Sequence, residues 1–237
     1  MTEEIFRDDA YAKTCEARVV SVDDEGVEFD RTIFYATGGG QPGDTGVLRL
    51  SDGREVRIVD TRKSRDSGRH FHVLEEGAAA PATGETVTLE IDWDVRHRLM
   101  RMHTALHLLC SVVEGGVTGG QIGPAKSRLD FDLQDTALDK EAIGAELNRL
   151  VEEDRPLSSA WITDAEMAEK PEMVRTMSVK PPSGAGKVRL MEIEGVDLQP
   201  CGGTHVARTG EIGPLRVGKI ENKGKHNRRI NIHLVED

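Results

Sequence analysis

Four residues constrain this chain more than any others: His103 and His107 in HTALHLLC, and Cys201 and His205 in PCGGTH. Together they offer three imidazoles and one thiolate, a donor set that suits Zn²⁺. The first pair lies in DVRHRLMRMHTALHLLC, where Val95, Leu99, Met102, Leu106, Leu109 and Val113 recur with helical spacing. Residues four apart on a helix lie above one another, so both imidazoles leave one face and can share an ion. The second pair is built differently. Pro200 and the Gly202-Gly203 step exclude a regular helix, so Cys201 and His205 converge from a tight loop. Either pair alone would be ordinary, since most such histidines and cysteines are packing residues. Their joint occurrence favours a metal.

The chain has 237 residues, enough for one large or two modest domains. Its three cysteines, Cys15, Cys110 and Cys201, are an odd number without framework spacing, which argues for a reducing compartment. The acidic N-terminus MTEEIFRDDAYAK has no apolar core of a secretory signal, and no apolar stretch approaches membrane-spanning length. These features predict a cytoplasmic protein.

Short strands separated by turns dominate the first ninety or so residues: CEARVVSV, GVEFDRTIFY, GVLRL, EVRIVDTR, RHFHVLEE and TVTLEID. Regular spacing of short strands without a helical stretch predicts a small barrel. Helical spacing begins at Asp92–Asp94. Gly115–Gly123 then reads as a loop, and AKSRLDFDL as a strand with Leu129, Phe131 and Leu133 on one face. Asp139 is placed to cap a second helix through Ala142, Ile143, Leu147, Leu150 and Val151, which Pro156 stops. A strand (LSSAWIT), a short helix near Asp164–Glu169 and a PPSGAG loop follow. KVRLMEIEG, PLRVGKIEN and NRRINIHLV close the chain as strands. This mixed order is that of an α+β protein, not a doubly wound sheet.

Net charge is −11, which opposes non-specific attraction to polyanions. The cations are nonetheless clustered. Arg216, Lys219, Lys223, Lys225, Arg228 and Arg229 face a single Glu221 in the segment 215–229. Arg96, His97, Arg98 and Arg101 precede the histidine pair, and Lys126 with Arg128 forms a third group. Composition leaves a solvated charged surface and a phosphate-binding surface about equally open. The glycine-rich FYATGGGQPGDTG, Phe34 to Gly46, lacks both the Gly-Lys-Ser/Thr of a phosphate loop and the strand–turn–helix setting of a dinucleotide fingerprint. A tight turn between barrel strands is the better reading, with Gln41, Asp44 and Thr45 able to present polar groups into a cleft.

FYATGGGQPGDTG, RLMRMHTALHLL, GGQIGPAKSRLDFDL, PCGGTHVARTGEIG and KIENKGKHNRRI, in that order, resemble the alanyl-tRNA editing proteins. That family is related to the editing domains of alanyl- and threonyl-tRNA synthetases. The resemblance covers essentially the whole chain and matches the longer, free-standing form. It implies an N-terminal β-barrel domain over residues 1–92, carrying the glycine motif. An α+β, two-layer sandwich-like, zinc-containing editing domain would follow over residues 93–237.

The activity so implied is hydrolysis of mischarged tRNA(Ala), chiefly seryl-tRNA(Ala), with glycyl-tRNA(Ala) as a further substrate. A pocket shaped for alanine cannot exclude glycine and only weakly excludes a side chain that adds a hydroxyl. A second site that hydrogen-bonds the serine hydroxyl spares alanine, which would leave that site's polar groups unpaired. By the resemblance, His103, His107, Cys201 and His205 bind one Zn²⁺, either as a Lewis acid with an open position or as a closed site that positions the substrate. No HExxH glutamate offers a general base. Gly202 and Gly203 are candidate oxyanion donors, and Gln41, Thr118 and Gln121 candidate pocket residues. Arg101, Lys219, Lys223, Lys225, Arg228 and Arg229 are candidate contacts to the tRNA acceptor end. The expectations include neither DNA nor membrane as a partner. The alternatives are a tRNA-binding module with a structural zinc and a metallohydrolase acting on small esters or amides.

Overall fold

The computed structural model describes residues 2–64, 66–133, 137–170, 173–174 and 186–235. They fall into two compact units, Met1–His97 and Arg98–Asp237.

In the first unit, a closed barrel is built from β2 (Thr14–Asp23), β3 (Gly26–Phe29), β5 (Gly46–Arg49), β6 (Glu55–Lys63), β7 (His70–Leu74) and β8 (Thr86–Ile91), in the order β2-β3-β7-β6-β5-β8. Period-two alternation fills it. Ala17 and Val19 from β2, Val56 and Ile58 from β6, and Val87, Leu89 and Ile91 from β8 are buried. Two two-residue strands, β1 (Glu3–Glu4) and β4 (Arg31–Thr32), pair in parallel. The sequence reading ran one strand from Gly26 to Tyr35, but the pairing breaks after Phe29. Past it, Phe34 N–H is taken by the Thr32 hydroxyl and Tyr35 N–H by the Asp44 carboxylate.

The glycine motif is a packing device. A Cβ at Gly46 would lie 2.1 Å from the Glu90 carbonyl oxygen, and one at Gly43 2.2 Å from that of Thr61. Only glycine lets these backbones come so close. Asp44 anchors the turn through Arg96, which is buried with it and also donates to the carbonyls of Ile33 (2.6 Å) and Ala10 (3.0 Å). Arg96 is therefore an internal ion-pair partner, a correction to its place in a phosphate-binding group.

Helix α1 (Trp93–Val112) carries the chain from one unit into the next. Residues Met102–Cys110 are buried all round, whereas Val95 is 41% exposed. The apolar spacing thus marks the helix, and Val95 is its solvent-facing member. In the second unit, β9 (Gly116–Gln121), β10 (Lys126–Asp132), β14 (Leu215–Asn222) and β15 (Asn227–Leu234) form an antiparallel sheet ordered β14-β15-β10-β9. The segment read as a loop contains β9. Its glycines hide the strand from propensity, but backbone pairing with β10 holds it, and a Cβ at Gly120 would meet Leu129 at 2.9 Å.

Leu129, Phe131 and Leu133 are buried as expected. Helix α2 (Lys140–Glu152) is capped by the Asp139 carboxylate, which accepts from Glu141 and Ala142 N–H, and its Gly144 rests on Val217 of β14. A second sheet has the order β11 (Leu157–Thr163), β12 (Lys187–Ile193), β13 (Asp197–Pro200), and α3 (Asp164–Ala168) follows β11 with a capping box from Thr163. The PPSGAG segment lies, but for Gly186, outside the described residues.

Candidate metal centre

His103 and His107 lie four residues apart on α1, and Cys201 and His205 lie in the turn that follows β13. One donor atom from each falls within 4.8 Å of all the others. His103, His107 and His205 are at least nine-tenths buried, and Cys201 is partly exposed. Cys201 Sγ is 3.1 Å from His205 Nε2 and 3.5 Å from His103 Nε2. Four ligands about 2.0–2.3 Å from a tetrahedral zinc stand about 3.3–3.8 Å apart, so the donor set and its spacing fit that ion.

Two neighbours select the ring nitrogens. Thr104 Oγ1 donates to the Met100 carbonyl at 2.9 Å, and its one proton is then used. It must accept from His205 Nδ1–H at 3.2 Å, as it does from Val206 N–H, which leaves the Nε2 lone pair of His205 facing Cys201. Asp197 does the same for His107, accepting from Nδ1–H at 3.0 Å. Gln199 Nε2 lies 3.0 Å from that same nitrogen and donates to Asp197 Oδ2 at 2.7 Å, which holds the carboxylate in place. A carboxylate behind a histidine ligand fixes its tautomer and raises its basicity.

The four residues are strongly coupled electrostatically. Burial disfavours a Cys201 thiolate, yet its neighbours, His103 first, outweigh burial and hold the thiol well below its ordinary value. Burial likewise opposes charge on His107, but Asp197 and Cys201 prevail and push it up to about 9. His205 is driven down to about 3, by burial first and then by His103, and is a neutral donor. Arg189 braces the turn, donating to the carbonyls of Gly203 (3.0 Å) and Cys201 (3.4 Å), while Gly203 N–H donates to Cys201 Sγ at 3.4 Å.

Thr104, Arg189, Asp197 and Gln199 escaped the sequence reading. Two of them carried a faint signal, too short to mark a strand: Asp197 and Gln199 are two apart just before Cys201, and period two puts them on one face of β13.

The remaining candidates are dispersed. Gln41 is buried in the barrel unit, its backbone paired with Gly38. Thr118 and Gln121 lie on β9; Thr118 Oγ1 donates to the Asp130 carbonyl and accepts from Asn227, and Gln121 is exposed. Among the basic residues, Arg229 grips Asp130 with two hydrogen bonds of 2.8 and 2.9 Å and Lys223 pairs with Glu221 at 2.9 Å. Arg228 donates to backbone carbonyls at 224, 225 and 227, and Arg101 to that of Ile212. Lys219 and Lys225 are exposed.

The chain is similar to known proteins over its whole length. Residues 188–231 match the family described as the threonyl and alanyl tRNA synthetase second additional domain, and residues 5–95 match the class II (A) tRNA synthetases. The alanyl-tRNA editing protein AlaX-M of Methanosarcina acetivorans is 40% identical, with both chains covered in full. That of Saccharolobus solfataricus is 34% identical over 97% of this chain and 98% of its own. The chain belongs to the alanyl-tRNA editing protein family. It is also 34% identical, over 93% of its length, to a quarter (25%) of the alanine–tRNA ligase of Sulfurisphaera tokodaii. Among the described residues, no helix is long and apolar enough to cross a membrane.

Proposed function

We propose that this protein is a zinc-dependent aminoacyl-tRNA deacylase that removes the wrong amino acid from tRNA(Ala), chiefly serine and also glycine, in the cytoplasm. The convergence of four donor atoms, three of them on buried imidazoles, supports the reading most directly. The name of its full-length relatives, alanyl-tRNA editing protein, supports the substrate.

His103, His107, Cys201 and His205 would hold the ion, which when bound supplies a concentrated positive charge able to polarise an ester carbonyl. Asp197 and Thr104 keep the Nε2 atoms of His107 and His205 on the donor cluster. Arg189 shapes the Cys201–His205 turn, and Gly203 N–H is directed at the sulfur. This leaves the Gly202 N–H as the better of the two glycine candidates for meeting negative charge on the tetrahedral intermediate. For discrimination, Thr118 and Gln121, in the same unit as the donor cluster, remain the candidates for meeting the serine hydroxyl. Alanine would leave such a partner unsatisfied, a difference of about 1–3 kcal/mol per buried polar group.

The test is a time course of Ser-, Gly- and Ala-tRNA(Ala) deacylation, before and after chelation and with zinc restored. Zinc-dependent loss of serine with alanine retained is the expected result. A folded, zinc-loaded protein that binds tRNA but spares every ester would instead be a binding module.

A further inference from the structure

Cation pairing on the four-stranded sheet is uneven. The chain has 42 acidic and 31 basic residues, so carboxylates are not scarce. On this sheet Arg128 and Arg229 both bind Asp130, and Lys223 binds Glu221. Besides Lys219, three neighbouring cationic or ionisable side chains are left over. Lys126 of β10 is in register with His233 of β15, and His233 with Arg216 of β14. Among the described residues, none of the three makes an ion pair or a side-chain hydrogen bond. Lys126 and Arg216 are exposed and His233 half-exposed.

The register puts the three on one face. Next along the strands, Ser127, Ile232 and Val217 pair with one another and are buried on the opposite face, where Val217 meets α2. Like charges directly opposite on a sheet repel and weaken it unless an anion lies between them. The repulsion has a signature: burial first, then Arg216 and Lys126, disfavours the protonated form of His233. The backbone also makes room for the imidazole. Gly218 stands beside it, where a Cβ would lie 2.7 Å from His233 Nε2.

We propose that Lys126, His233 and Arg216 form a phosphate-binding strip on the polar face of this sheet that takes the phosphodiester backbone of the tRNA. The partner rests on the functional reading above; the strip itself rests on register and missing counter-charge. Three groups across two strand spacings of about 4.8 Å span about 10 Å, a reach that suits backbone phosphates. Contacts of this kind position a nucleic acid without reading its sequence.

The experiment compares wild type with the triple variant Lys126→Gln/Arg216→Gln/His233→Gln, and with a control that removes two exposed cations elsewhere, Arg18→Gln/Lys187→Gln. Binding of uncharged tRNA(Ala) transcript is measured against salt at neutral pH, alongside deacylation of Ser-tRNA(Ala) and thermal melting. The triple variant is expected to lower the slope of log affinity against log salt by about two, one for each permanent charge removed. The wild-type advantage then shrinks about a hundredfold over a tenfold rise in salt. Its KM for Ser-tRNA(Ala) should rise with kcat retained, and its melting temperature should equal or exceed that of wild type because a repulsion has gone. A residue row serving only the fold would lower the melting temperature instead. Unchanged affinity and slope would overturn the strip, and so would an equal loss in the control or a preference for anionic lipid vesicles over tRNA. A wild type that neither binds nor deacylates tRNA would overturn the functional reading first, and the strip's partner with it.

Discussion

Asp197 and Thr104 donate nothing to the metal cluster, yet each decides which ring nitrogen a histidine turns toward it. Truncating such a partner leaves a buried N–H unsatisfied and the ring free to rotate. Asp197→Ala should therefore weaken zinc about 10- to 100-fold. Competition with a calibrated chelator reads this directly, and an unchanged constant would remove Asp197 from that role. Arg96 and Asp44 form the corresponding pair in the barrel unit, both buried. Arg96→Ala would strand the carboxylate and is expected to cost about 3–5 kcal/mol. Denaturant unfolding followed by Trp93 fluorescence in a Trp161→Phe background checks it; a loss below about 1 kcal/mol would contradict the buried-pair reading.

Among elements, the barrel and the two-element metal site differ in how they tolerate change. A Cβ at Gly46 would collide with the Glu90 carbonyl of β8 and with the Phe34 ring, a contact no rotamer relieves. Gly46→Ala should separate β5 from β8 and lower the melting temperature by several degrees, since about 1 kcal/mol shifts a domain of this size by about 4–8 °C. Near-wild-type melting would mean the strands can part at little cost. Element type was legible wherever pattern and chemistry agreed: Asp139 announced α2, and the alternation in AKSRLDFDL announced β10. It was illegible in β9 and β13. Glycines carry no propensity for a strand, and a four-residue strand is too short for alternation to register, so only pairing with β10 and β12 defines them.

At the scale of the molecule, each unit carries one of the two tryptophans, Trp93 and Trp161, so the units can be followed separately. His72 is completely buried among Phe29, Phe34 and His70, and burial first, with His70 second, holds it neutral well below pH 6.5. The unfolded chain binds a proton there below pH 6.5 and the folded barrel does not, so stability falls as pH falls through that value. One such histidine can remove at most about 2 kcal/mol between pH 7 and pH 5, the limit set by its unfolded-state pKa. Unfolding of the barrel unit, read from Trp93, should show that loss, and a His72→Gln variant should not. Equal pH dependence in both would assign the acid sensitivity elsewhere.

The residue types and their spacing determined by themselves that a donor set able to hold a metal ion exists, because an i, i+4 histidine pair on a helix and a Cys-Gly-Gly-Thr-His turn are local statements about backbone geometry. Period two determined most of the barrel strands for the same reason. Tertiary structure alone decided the rest. It made α1 an interior helix, placed Asp197 and Thr104 behind their histidines, and took Arg96 out of the solvent. It also separated the cations that find a carboxylate from the row of Lys126, His233 and Arg216 that does not. Burial, tautomer and charge pairing depend on which distant segments meet, and one-dimensional spacing carries no record of that.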